Sequence, residues 1–115
     1  MLKFCAMATF VTLLVGASSA NAATTQFWNL TEGTITKFQL SEVGKNQWGP
    51  DQTANDKDHT VDHDERLKLT DITGGKYDVM FADKMKRVCT LRNVEIKLGD
   101  VFSIEESQLK GACKK

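Results

Sequence analysis

Residues 56 to 65 hold the side chains best suited to metal chemistry, five acidic residues and both histidines of the chain. Carboxylate oxygens and imidazole nitrogens are the ligands that zinc and similar divalent ions accept. The candidate ligands are Asp58, His59, Asp62 and His63. The spacing of the histidines brings two imidazoles to one ion on a helix, whereas on a strand their attachment points lie about 13 Å apart. A metal site is therefore one hypothesis for this segment.

Other interpretations of the same segment compete with a metal site. It has no apolar helical stripe, so a helix here would need ordering by the metal. The residues from Asp56 to Asp62 imitate the start of a calcium-binding hand, but position six is Val61 instead of glycine and position twelve is Leu67 instead of glutamate. The histidines could instead sense pH. We favour a solvated acidic loop that precedes the strand containing Leu67.

Catalytic chemistry has little support in the sequence. No serine lies in a nucleophile-elbow context, no free cysteine is expected, and both histidines share one acidic loop without a nearby nucleophile. We therefore expect a protein that is not an enzyme and that holds no cofactor.

A second candidate binding feature is the turn-like run Gln47-Trp48-Gly49-Pro50-Asp51. Trp48 could stack on a ligand or sugar there, with Asp51 beside it. The alternative, which we favour for the tryptophan, is that Trp48 caps the core of a small domain. Both residues are kept as candidate binding residues.

Basic residues cluster further along the chain, at Lys84, Lys86, Arg87 and Arg92. They could pair with the acidic loop or with a partner, but lysines at a strand-turn-strand tip also keep a sheet edge soluble, and we favour that role. After loss of Lys3 the chain has 14 basic and 15 acidic residues. This balance argues against nucleic acid or an anionic membrane surface as the main partner.

The first 22 residues have the three-part design of a secretory signal peptide. Lys3 supplies the charge, residues 5 to 16 form the apolar run, and Ala20-Asn21-Ala22 fits the cleavage rule, so we expect cleavage after Ala22. The apolar run is shorter than the roughly 20 residues of a membrane span. We expect a periplasmic or secreted protein without a transmembrane anchor, formed by residues 23–115 as a single domain.

Two of the three cysteines remain after removal of the signal peptide. Cys5 leaves with that peptide, and Cys89 and Cys113 form an even pair in an oxidising compartment. We predict a disulfide between them, which closes a loop of about 25 residues and stabilises the fold by roughly 3–4 kcal/mol.

Short runs of alternating apolar and polar residues, separated by turn residues, predict an all-β fold. The runs are Phe27–Leu30, Thr36–Leu40, Leu67–Leu69, Lys76–Ala82, Val88–Leu91, Val94–Leu98 and Val101–Ile104. Their spacing favours a small antiparallel β-sandwich of about seven short strands. From Arg66 onward we expect a simple meander. Residues 46 to 65 read as a long polar connection, a place where function is often found.

Several short motifs resemble a group of small exported proteobacterial proteins. They are Phe27-Trp28-Asn29-Leu30-Thr31, Trp48-Gly49-Pro50-Asp51-Gln52 and Gly75-Lys76-Tyr77-Asp78-Val79, followed by a strand with Cys89. The resemblance implies fold and location, and it carries over no catalytic residue. We therefore expect an exported binding or structural protein whose partner is a protein or envelope component, with a periplasmic metal-binding protein as the alternative.

Overall fold

The computed structural model describes residues 24–115, in which seven strands form two facing sheets. The predicted signal peptide and its cleavage site lie outside the described residues. The strands are β1 (Gln26–Leu30), β2 (Ile35–Glu42), β3 (Arg66–Lys68), β4 (Gly75–Asp83), β5 (Val88–Ile96), β6 (Val101–Glu105) and β7 (Cys113–Lys114), and two 3₁₀ turns span Gln52–Asn55 and Glu106–Leu109.

The predicted all-β sandwich with about seven strands is confirmed. Sheet one has the order β3-β1-β6 and sheet two the order β2-β4-β5-β7. All neighbouring strands are antiparallel except β1 and β6, which run parallel. The meander predicted from Arg66 onward is wrong for β3 and β6, because both strands pair with β1 in sheet one while β4 and β5 pair in sheet two. In sheet one, Phe102 of β6 packs beside Phe27.

The inward faces of both sheets meet in an apolar core, because alternate residues of each strand point to the same side. Phe27 of sheet one packs on Phe38 of sheet two with ring centroids 4.4 Å apart. The predicted Cys89–Cys113 disulfide is present and joins β5 to β7. Its Cys89 half is fully buried in this core.

Strand β5 combines two segments that the sequence pattern separates, Val88–Leu91 and Val94–Leu98. Asp78 of β4 stands opposite two residues of β5, so the pairing shifts there as a β-bulge. Asn93 takes the left-handed conformation at this point, with a φ of 61°. Asparagine tolerates this conformation better than most residues. The extra residue of the bulge interrupts the alternation of inward and outward side chains, but β5 continues as one strand.

The polar connection from 46 to 65 covers the free edge of β2. Ile35 and Val61 exchange two backbone hydrogen bonds of 2.9 Å, and the N–H of Gly49 donates to the carbonyl of Leu40 at 2.9 Å. An uncovered edge strand offers unpaired backbone groups to other chains. The connection therefore protects this edge without itself forming a full strand.

Asp51 also bonds to the edge of β2, and removal of its side chain is expected to destabilise the fold. One carboxylate oxygen of Asp51 accepts from the N–H of Phe38 at 3.0 Å and from both the N–H and hydroxyl of Thr53. Asp51→Ala removes a helix cap and leaves the Phe38 N–H without its acceptor, so we expect a loss of about 1–3 kcal/mol in urea unfolding. Asp58→Ala, at an exposed position in the same connection, is the control. Equal stability of the two variants would contradict this role.

Candidate functional site

A cleft of about 310 Å³ opens at the end of the sandwich where β2 ends and β4 begins. We call it the end cleft. Its walls come from residues 40–42 of β2, residues 71–73 between β3 and β4, Tyr77 of β4, and four residues of the connection, Gln47, Gly49, Pro50 and Gln52. This volume is at the lower end of the range for small-molecule sites, about 300–1,000 Å³.

The apolar part of the end cleft comes from Leu40, Pro50 and Ile72. Two amide side chains hold its walls together. Gln39 donates from Nε2 to the carbonyl of Gly49 at 2.9 Å. Gln52, which is buried, donates to the carbonyl of Thr70 and accepts from its N–H, both at 3.0 Å. These bonds fix the connection against β2 on one side and against the loop after β3 on the other.

The loop from 71 to 75 has an unusual backbone conformation beside the end cleft. Asp71, Gly74 and Gly75 all have positive φ values, of 57°, 84° and 116°. The Tyr77 hydroxyl accepts from the N–H of Thr73 at 3.1 Å and lies 3.2 Å from the Thr73 hydroxyl. The tyrosine thus holds this loop in place as one wall of the end cleft.

The end cleft is lined by the acidic residues Glu42 and Asp71 and by no basic residue. Glu42 forms an ion pair of 2.9 Å with Lys45, but both side chains are well exposed, so this pair contributes little. Within residues 24–115, Asp71 takes part in no side-chain hydrogen bond or ion pair. The end cleft therefore presents a free carboxylate next to an apolar floor, which suits a ligand with positive charge or several hydrogen-bond donors.

The predicted binding residues Trp48 and Asp51 adjoin the end cleft without lining it. Trp48 is half-buried between two lining residues, Gln47 and Gly49. One oxygen of the Asp51 carboxylate, Oδ1, accepts all three of its structural hydrogen bonds. In this part of the chain the surface of the end cleft is formed by Gln47, Gly49, Pro50 and Gln52.

The predicted metal ligands are not brought together. Within the part of the chain that the structure describes, no three His, Cys, Asp or Glu side chains are grouped to hold an ion. Asp62 accepts from the hydroxyl of Thr34 at 3.1 Å, and Nδ1 of His63 lies 2.8 Å from the carbonyl of Thr31. The segment turns rather than forming a helix, and two of the four candidate ligands fasten it to the β1–β2 turn.

The basic cluster divides into paired and unpaired members. Arg87 pairs with Asp83 and Glu106, and Arg92 pairs with Asp78. None of these acidic partners lies in the segment from 56 to 65. We predicted that the four basic residues keep a sheet edge soluble, but two of them, Arg87 and Arg92, form ion pairs within the domain.

Stability is expected to fall at acidic pH, because the pKa of Asp78 lies below its ordinary value. Burial opposes its ionisation, but the N–H groups of Gly44 and Asn93 and the guanidinium of Arg92, at 2.9–3.1 Å, outweigh burial. A carboxyl with a lowered folded-state pKa stabilises the fold above its unfolded pKa, and this contribution is lost as the pH falls through the folded value.

We therefore expect the unfolding free energy to fall as the pH decreases below about 4–5. Asp78→Asn should cost about 1–3 kcal/mol at neutral pH and should flatten the acid dependence, which urea unfolding over a pH series measures. The dependence that remains is attributed to Glu106, whose pKa is lowered by the Arg87 side chain and the Glu32 N–H. Asp58→Asn is the control, and equal acid slopes for Asp78→Asn and the wild type would contradict the assignment.

Comparison with protein families, curated proteins and solved structures found no match. Within residues 24–115, no helix has the length and apolar character needed to cross a membrane. The fold and site together define a small disulfide-bonded β-sandwich with a cleft lined by two acidic residues.

Proposed function

We propose that the chain is an exported, non-catalytic binding protein of the bacterial periplasm or cell envelope, whose ligand occupies the end cleft. The observation that carries this proposal is the cleft itself, a concave site of about 310 Å³ with hydrogen-bonding groups around an apolar floor. A concave, mostly pre-formed site with a few convergent polar groups is the usual form of a ligand-binding site.

Binding suits the end cleft better than catalysis does. Its single serine, Ser41, accepts from the N–H of Gln47 and donates to the carbonyl of Glu42. The lining residues include no histidine, cysteine or lysine that could activate a nucleophile. We therefore propose that the cleft holds and orients a molecule.

The charge of the end cleft favours a cationic ligand. Asp71 and Glu42 supply carboxylates, and Leu40 and Ile72 supply apolar contact. A lysine or arginine side chain on an envelope protein combines an apolar stem with a charged head. The alternative of a metal-binding protein gains no support from the arrangement of residues 56 to 65.

Export is supported by the form of the N-terminal sequence and by the Cys89–Cys113 disulfide, since disulfides persist in oxidising compartments. The full chain expressed in a bacterial host tests this part of the proposal. The purified protein should have a mass that matches residues 23–115 with both cysteines oxidised. A mass that retains the first 22 residues, or free thiols, would contradict it.

Ligand binding is tested by NMR titration of the purified protein with the blocked amino acid Nα-acetyl-lysine methylamide. Saturable shifts are expected for amides in residues 40–52 and 71–77. Asp71→Asn should weaken binding by about fivefold, because it removes a charge-assisted contact of about 1 kcal/mol. Asp58→Asn, which makes the same charge change outside the cleft, should leave affinity unaltered. Equal shifts with Nα-acetyl-glutamate methylamide, or unchanged affinity in Asp71→Asn, would overturn the proposal.

A further inference from the structure

The outer face of sheet two carries a shallow apolar hollow of about 160 Å³. Strand pairing places Lys37, Ala82, Val88 and Lys114 in one row across β2, β4, β5 and β7. Met80 lies in the neighbouring row and completes the apolar lining. Val88 is 46% exposed, so the hollow is open to solvent in the described part of the chain.

Lysines surround this hollow without acidic partners. Lys37 and Lys114 lie on its two sides, and Lys84 and Lys86 lie in the turn between β4 and β5. None of these four lysines forms an ion pair within residues 24–115. The nearby carboxylate of Asp83 is buried and paired with Arg87. This part of sheet two, which we call the basic face, is therefore positively charged although the whole chain has a formal net charge of zero.

We propose that the basic face binds an acidic polypeptide segment that inserts one apolar side chain into the hollow. Aspartate and glutamate side chains complement the lysine ring, and such charge complementarity sets orientation and speeds association. A cavity of about 150 Å³ is large enough for benzene, so the hollow matches one phenylalanine or leucine side chain. Binding at a central apolar anchor surrounded by a polar rim is a common form of protein recognition.

Two other occupants fit the basic face less well. A second copy could offer the acidic segment from 56 to 65, but its one core-forming residue, Val61, is only 1% exposed and cannot reach a hollow on another molecule. An anionic membrane would meet a concave surface on a chain with equal numbers of acidic and basic residues. The acidic segment with an apolar anchor uses both the charge and the hollow.

The basic face and the end cleft have no lining residue in common. They also have opposite charge, since the end cleft is lined by carboxylates and the basic face by lysines. This inference therefore stands independently of the proposed function, and the two can be tested in the same protein with different probes.

The test is an NMR titration of the purified protein with a synthetic peptide of aspartate and glutamate that contains one central phenylalanine. The largest shifts are expected at Lys37, Met80, Ala82 and Val88. The same peptide with serine in place of phenylalanine should bind about fivefold to tenfold more weakly, because it has no apolar side chain to bury in the hollow. Raising the salt concentration from about 0.05 to about 0.3 M should weaken binding of both peptides.

Charge-reversed variants locate the site. Lys37→Glu combined with Lys114→Glu should lower affinity at least about tenfold, since two attractive contacts become repulsive. Lys68→Glu combined with Lys97→Glu makes the same charge change away from the basic face and should alter affinity by less than about twofold. Thermal melting shows that each variant is folded, and all four positions are exposed.

Three results would overturn the proposal. Equal affinity of the phenylalanine and serine peptides would show that charge alone acts. Binding of phosphatidylglycerol vesicles, but not of the peptide, with loss in the Lys37→Glu and Lys114→Glu variant would assign the face to a membrane surface. Self-association in sedimentation that the same variant abolishes, without peptide binding, would assign it to a second copy of the chain.

Discussion

Replacing Arg87 by alanine is expected to lower the free energy of unfolding by about 3–5 kcal/mol, the usual cost of removing one partner of a buried ion pair. The Arg87 side chain is 12% exposed and the Asp83 side chain is fully buried. The Nε of Arg87 donates to Asp83 at 3.0 Å, and the Nη1 of Arg87 donates to Glu106 at 2.7 Å. Without the guanidinium, Asp83 would remain as an uncompensated charge in the interior.

The same cluster joins three separate parts of the chain. Asp83 also accepts from the N–H groups of Met85 and Arg87, which closes the β4–β5 turn. Glu106, at the start of the last 3₁₀ turn, accepts from the N–H of Glu32 in the β1–β2 turn. A methyl group at Gly33 would stand 2.5 Å from the Asp83 carboxylate, so the turn that faces this cluster needs glycine.

Urea unfolding at neutral pH measures the effect of Arg87→Ala. Lys84→Ala is the matched control, because Lys84 is an exposed residue of the same turn and should change stability by no more than about 0.5 kcal/mol. Arg87→Lys should recover only part of the loss, since an ammonium cannot bond two carboxylates with the planar fork of a guanidinium. A loss below about 1 kcal/mol for Arg87→Ala would show that the cluster relaxes around the missing side chain.

Removal of the disulfide has the second large expected effect. Cys89→Ala combined with Cys113→Ala should cost about 2–5 kcal/mol, the usual range for removal of a native disulfide from a small domain. The bond spans 24 residues and ties the end of the chain to the middle of sheet two. Because β7 pairs with only two residues of β5, this short strand depends on the bond for its position.

Two measurements separate the effect of losing the disulfide bond from the effect of the alanine substitutions. Reduction of the wild type should lower the melting temperature without creating the small cavity that the alanine at position 89 leaves in the core. Hydrogen exchange should show that amides of β7 open first when the bond is absent, since few contacts hold them. Unchanged stability on full reduction would contradict a structural role for the disulfide.

The sequence predicts the strands well where one face is buried. Phe38 and Leu40 alternate with polar residues, Val79 and Phe81 keep the same spacing of two, and all four are buried in the core. The alternating pattern does not predict the strand where a β-bulge adds a residue, as at Asn93. It also cannot show which sheet β6 joins, because that depends on a pairing with β1 about 75 residues earlier in the chain.

The end cleft was predictable only in part. The turn residues around Trp48 adjoin the end cleft, but its walls also include Asp71 and Tyr77, which come from other elements. Their only local signal is the Gly74-Gly75 pair, which indicates a loop of unusual conformation. The charge of the surface could not be predicted from the sequence either, because Arg87 and Arg92 pair with carboxylates that only the folded chain brings near.

The parallel pairing of β1 with β6 links the order of synthesis to the time of folding. Sheet one joins Phe27 to residues of β6 about 75 positions later, so it cannot be completed until Ile104 has left the ribosome. Pairings between distant residues also form slowly. The last strand of sheet one, β6, is synthesised after the strands β2, β4 and β5 of sheet two, so sheet one becomes available for pairing later than these three strands. Under the proposed export, this delay would give the chain time to reach a secretion channel before both sheets are complete.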